Sequence, residues 1–64
     1  MQVHEGERIE FTYTDAQGTT QTWAGKVTKA EEGKDWFRMA TGEPFPRNFR
    51  YERIQGEIEV VTDT

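Results

Sequence analysis

Alternation with a period of two runs through most of the chain. In "RIEFTYT", Ile9, Phe11 and Tyr13 fall on one face, and Glu10, Thr12 and Thr14 fall on the other. That is the signature of a half-buried strand. "DAQG", Asp15 to Gly18, follows with the Asp-first, Gly-last chemistry of a type I turn. "TTQTWAGKV" predicts a second strand with Trp23, Gly25 and Val27 on one face, and Gly25 marks a bulge or sharp bend that curls the sheet. After a turn around Gly33, "WFRMA" predicts a third strand in which Phe37 and Met39 oppose Trp36, Arg38 and Ala40. "TGEPFP" ends it, because two prolines flanking Phe45 belong to a loop rather than a central strand. "RNFR" reads as a short fourth strand and "GEIEVV" as a fifth, with Ile58 and Val60 inward and Glu57 and Glu59 outward. No helix longer than a single turn is expected.

Five short strands at this turn spacing suggest a small closed antiparallel barrel rather than a sandwich. Between the last two strands lies "YERI", a junction that in SH3-like barrels is commonly one 3-10 turn. Residues three apart eclipse one another in such a turn, so Arg50 and Arg53 are expected on one side. The expected core is Ile9, Phe11, Trp23, Val27, Phe37, Phe49, Ile54, Ile58 and Val60. The domain is expected over residues 7–62, behind a flexible segment over residues 1–6.

Composition sharpens this picture. The chain has 64 residues and no leucine, so the core falls to Phe, Trp, Tyr, Ile and Val, residues suited to a pleated surface. It has no cysteine, and His4 is its single histidine, so disulfides and the common zinc sites are excluded. There is no serine either, and the pairs Glu31/Glu32 and Glu57/Glu59 fall on a turn and an outward strand face. A non-enzymatic protein without a cofactor is therefore expected. No apolar run reaches membrane-spanning length and the N-terminus lacks the pattern of a secretory signal, so a cytoplasmic location is the expectation. The formal net charge of -4 opposes indiscriminate polyanion binding.

Against that acidic background, Arg47, Arg50 and Arg53 stand three apart and hold three of the chain's five arginines. Over residues 36–53, four arginines (38, 47, 50 and 53) face two glutamates (43 and 52), a local surplus of two positive charges. Guanidinium forks suit phosphate and carboxylate oxygens and stack on bases, and Trp36, Tyr51 and Phe45 could supply stacking platforms. The plainer alternative is that these arginines pair with Glu43, Glu52, Glu57 or Glu59 on the surface, where each pair contributes about 0–1 kcal/mol. Trp36 is open in the same way. Beside arginines it has the composition of a binding hot spot, and it could equally cover a barrel end.

Taken in order, "FTYTDAQGTTQTW", "DWFRMA", "RNFRYERI" and "IEVV" resemble the WYL domain. That family carries a strand with Tyr-x-Asp-x-x-Gly, a later Trp-Tyr-Leu strand and an Arg-x-Phe-Arg-x-x-Arg-Ile element. Tyr13, Asp15 and Gly18 match the first block, and Trp36 and Phe37 stand at the Trp-Tyr pair. Arg47, Phe49, Arg50, Arg53 and Ile54 match the last block, while Arg38 replaces the leucine. The resemblance spans most of residues 9–61. It implies an SH3-like (Sm-like) barrel acting as a ligand-sensing or nucleic-acid-binding module in transcription regulation. The helix-turn-helix that usually precedes such a domain does not occur in these residues, so a stand-alone module is expected.

The reading that follows is an all-β, five-stranded, SH3-like barrel with a 3-10 turn before its last strand. Trp36, Arg38, Arg47, Arg50, Tyr51 and Arg53 would bind single-stranded nucleic acid or a small anionic ligand. A protein partner is the alternative.

Overall fold

A computed structural model of the chain describes residues 2–61. Five strands form one antiparallel sheet: β1 (Arg8–Thr14), β2 (Thr20–Ala30), β3 (Trp36–Ala40), β4 (Arg47–Arg50) and β5 (Ile54–Val60). A 3-10 turn, Tyr51–Arg53, joins β4 to β5, and the order across the sheet is β4-β3-β2-β1-β5. Among the described residues β4 and β5 do not pair, so the sheet has two edges and is not a closed hydrogen-bonded barrel. No helix of the described residues is long and apolar enough to cross a membrane.

Turn chemistry fixes the β1–β2 hairpin. Gly18 donates to the Asp15 carbonyl (3.0 Å) and adopts φ +85°, a conformation that costs glycine nothing. The Asp15 carboxylate accepts the N–H groups of Gln17 and Thr19, both at 2.9 Å, and so locks the register of the two strands.

The sheet is strongly curled. At Gly25 the backbone of β2 passes close to that of β3: a Cβ at that position would lie 1.9 Å from the Ala40 carbonyl oxygen. The sequence suggests a bulge or bend there, and the need is for close backbone approach. The register shifts fall elsewhere, between Val27 and Lys29 on β2 and between Glu10 and Thr12 on β1. Curling brings β1 and β4 face to face although two strands separate them in the sheet. Phe11 and Tyr13 each meet Phe49 edge-on at 5.0 Å, and Phe37 stacks on Phe49 at 5.7 Å.

Among the described residues the buried ones are Val3, Ile9, Phe11, Tyr13, Val27, Phe37, Met39 and Phe49, with no polar or charged residue among them. The alternation of "RIEFTYT" and "WFRMA" therefore reads correctly. Trp23, Ile54 and Ile58, expected in the core, are only partly buried against it. Val60 departs from expectation more sharply, at 58% exposed. It lies opposite Ile9 and so on the inner face, but it sits on an edge strand beyond the reach of the curl. Periodicity identifies a face; it does not say how far the cover over that face extends.

Within residues 1–6, expected to lie outside the domain, Val3 is buried in the core. Its N–H donates to the Tyr51 hydroxyl (3.2 Å), and the Gly6 N–H donates to the Val27 carbonyl (2.8 Å). Residue 62, the far end of the expected domain, lies outside the described residues.

Candidate functional site

An open groove of about 510 Å³ runs between β4 and the tip of the β1–β2 hairpin. On the β4 side it is lined by Arg47, Asn48, Phe49 and Arg50, with Trp36 from β3 and Arg53 from the 3-10 turn. Across it stand Tyr13, Asp15, Ala16, Gln21 and Trp23. Four of the six residues singled out from the sequence, Trp36, Arg47, Arg50 and Arg53, therefore meet at one groove. Arg50 lines it from β4, where its backbone is extended, and Arg53 from the 3-10 turn, so the two are not eclipsed members of one turn.

Arg38 and Tyr51 do not line it. Arg38 lies on the outer face of β3, where its Nε donates to the Asn48 side-chain oxygen at 2.9 Å. Its guanidinium stands 5.8 Å from the Trp36 ring centroid. Tyr51 turns inward: its ring packs 5.1 Å from Phe37 and its hydroxyl accepts the Val3 N–H. Its role here is to hold the N-terminal segment down.

The arginines differ in how firmly they are held. Arg47 is gripped hardest. Its Nε and Nη2 form a fork on the Glu43 carboxylate at 2.6 and 3.1 Å, while its guanidinium stacks 4.9 Å from the Trp23 centroid. Glu43 also accepts from the Thr41 hydroxyl at 2.9 Å. The Arg47 fork and then the Thr41 hydroxyl hold the Glu43 carboxyl below the usual carboxylate range. The same hydrogen bond raises Arg47 above its own ordinary value. Arg50 is held loosely, with Asp35 at 3.9 Å and Glu52 at 3.6 Å, both exposed. Such pairs are screened by solvent and worth little. Arg53 is half-buried, and no carboxylate stands within 4.0 Å of it among the described residues. The pairing foreseen as the plain alternative thus exists for Arg47 with Glu43 and for Arg50 with Glu52. It does not extend to Arg53.

Both tryptophans carry cations. Trp23 lies under Arg47, and Trp36 lies within 5.8 Å of both Lys29 and Arg38. Trp36 is half-buried, on the outer face of β3 opposite Arg50. Seven groove residues were not among the site residues read from the sequence: Tyr13, Asp15, Ala16, Gln21, Trp23, Asn48 and Phe49. Tyr13 and Trp23 sit at core parity, and only the curl brings them to the mouth of the groove. Asn48 was legible in principle, because strand alternation sets it on the face of Arg50 and opposite Phe49.

The chain matches no protein-family model, no curated protein and no solved structure.

Proposed function

We propose that the chain is a small, cytoplasmic, non-enzymatic binding module whose β4 groove takes a partner carrying anionic groups. The observation that carries this reading is the convergence of Arg47, Arg50 and Arg53 on one groove beside Trp23 and Trp36. The groove also contains one carboxylate, Asp15, which its own turn already engages. Guanidinium groups keep their charge at any working pH and present planar forks to phosphate or carboxylate oxygens. An SH3-like barrel of WYL type belongs to the same proposal. Its support is the strand order, the curl that sets β1 against β4, and the 3-10 turn before the last strand. The resemblance to WYL domains adds ligand sensing or nucleic-acid binding in transcription regulation.

Titration of the chain with pyrophosphate and with a short oligothymidylate, followed by tryptophan fluorescence, tests the reading. A saturable change that weakens with salt is expected, because Trp23 and Trp36 both border the groove. Arg50→Ala and Arg53→Ala should each reduce it while leaving stability within about 1 kcal/mol of wild type. Binding left intact by the double substitution would reduce the arginines to surface ion-pair partners.

A second reading, a protein-interaction module, is favoured by the free edge of β4 and by Phe45. That ring is 80% exposed in the loop before β4.

A further inference from the structure

The backbone of β4 has a committed side and an open one. The Tyr51 N–H donates to the Asp35 carbonyl (3.0 Å), on the side of β3. One residue earlier, the Arg50 N–H donates across the groove to the Tyr13 hydroxyl (3.1 Å). In an antiparallel strand the N–H and C=O of one residue point the same way and successive residues alternate. Asn48 therefore turns its N–H and C=O away from β3, toward a side on which no described strand pairs. The Tyr13 hydroxyl sits where the carbonyl of an adjoining strand would otherwise meet Arg50.

We propose that the occupant of the groove is an extended acidic segment of a partner protein. It lies along β4, exchanges backbone hydrogen bonds with Asn48 and sets its carboxylates against Arg50 and Arg53. This rests on the anionic-partner reading above and names the class of partner. Addition of a strand to a sheet edge draws affinity from the main chain and specificity from alternate side chains. Here the specificity is electrostatic. Three arginines are among the residues that line this edge of the groove, and Arg53 has no carboxylate of its own within reach among the described residues.

Nucleic acid fits the same groove less well. Stacked bases need free ring faces, and Arg47 covers Trp23 while Lys29 and Arg38 flank Trp36. An unpaired backbone N–H and C=O side by side on a strand edge match a peptide backbone, not a phosphodiester. A second copy of β4 is disfavoured because it would set arginines against arginines. The basic residues and Pro46 just before the strand thus exclude unwanted strands, and an acidic one is the kind they admit.

Nitrogen-15 NMR of the whole chain tests this with three probes. They are a heptapeptide alternating glutamate and valine, its lysine–valine counterpart, and decathymidylate. The acidic peptide should shift the Asn48 amide saturably and slow its hydrogen exchange, and the lysine peptide should do neither. Arg53→Ala should weaken the acidic peptide about fivefold, the scale of one exposed ion pair, and Arg53→Glu should weaken it further. Saturation without a change at Asn48 would overturn strand addition, as would equal binding of both peptides. If decathymidylate binds and the acidic peptide does not, the peptide proposal falls and the anionic groove stands. If none of these probes binds, both fall.

Discussion

The two edges of the sheet share a topological position and little else. Both β4 and β5 are paired on one side only. The β4 edge is four residues long, basic, and walled on its free side by the β1–β2 hairpin. The β5 edge is seven residues long and carries Glu57 and Glu59. An irregularity breaks its ladder: between the pairs Glu10↔Glu59 and Thr12↔Gln55, β5 advances four residues while β1 advances two. Gly56 sits in that stretch at φ +77°. Its inner-face Val60 is left exposed, whereas Phe49 on the inner face of β4 is 2% exposed. An edge strand can be guarded by an irregular, charged backbone or by a wall across from it. Only the wall makes a groove. The difference comes from the curl, which carries β4 round to face β1 and leaves β5 behind.

Removing the anchor of the walled edge should have the largest effect. Phe49 touches Phe11, Tyr13, Trp23 and Phe37 with ring centroids between 5.0 and 5.7 Å. Phe49→Ala should cost about 3–5 kcal/mol and leave so small a domain largely unfolded, as a denaturant melt would record. A melt unchanged from wild type would mean that β4 is not packed on the core at all. Gly25→Ala attacks the curl itself. Forcing a backbone oxygen away from a new Cβ should cost about 3 kcal/mol, and the Arg50 amide should lose protection before the β1–β2 ladder does. Tyr13→Phe is milder: it deletes the hydroxyl that caps the Arg50 N–H, worth about 1 kcal/mol, and should speed exchange at that one amide. On the other edge, Val60→Ala should stay within about 0.5 kcal/mol of wild type. A loss as large as that of Phe49→Ala would erase the distinction between the edges.

The smallest expected effect concerns acid. Glu43 has a folded pKa below its ordinary value of 4.5, so its pairing stabilises the fold fully above that pH. The contribution is lost as pH falls from 4.5 through the lowered folded value. The gap in melting temperature between wild type and Glu43→Gln should therefore close as pH drops below 4.5. A gap that stays constant would mean that the Arg47–Glu43 fork does not brace the loop before β4.

How much of this could be read from the chain differs by residue. The strands of Ile9, Phe11 and Tyr13 and of Phe37 and Met39 were legible because each alternates strictly and sits where both neighbours cover it. The 3-10 turn at "YERI" was legible from its junction between two strand patterns. Val3 was not, because one apolar residue has no period; it is buried in the core beside Tyr51, 48 positions away, whose hydroxyl accepts its N–H. The Arg47–Trp23 stack was equally hidden, since no local pattern links "RNFR" to the strand that holds Trp23. Arg50 and Arg53 both line the groove, although Arg50 belongs to β4 with extended backbone and only Arg53 lies in the 3-10 turn.

Sequence alone determined the strands, their inner faces and the gathering of arginines around Phe49, since each follows from spacing between near neighbours along the chain. Tertiary structure decided which arginines are bound and which stands clear of any described carboxylate. It also decided which edge is walled and that the hairpin tip closes a groove against β4. These depend on contacts between segments far apart in the chain, Phe49 on Phe11 and Tyr13 and Arg47 on Trp23, which no local spacing encodes.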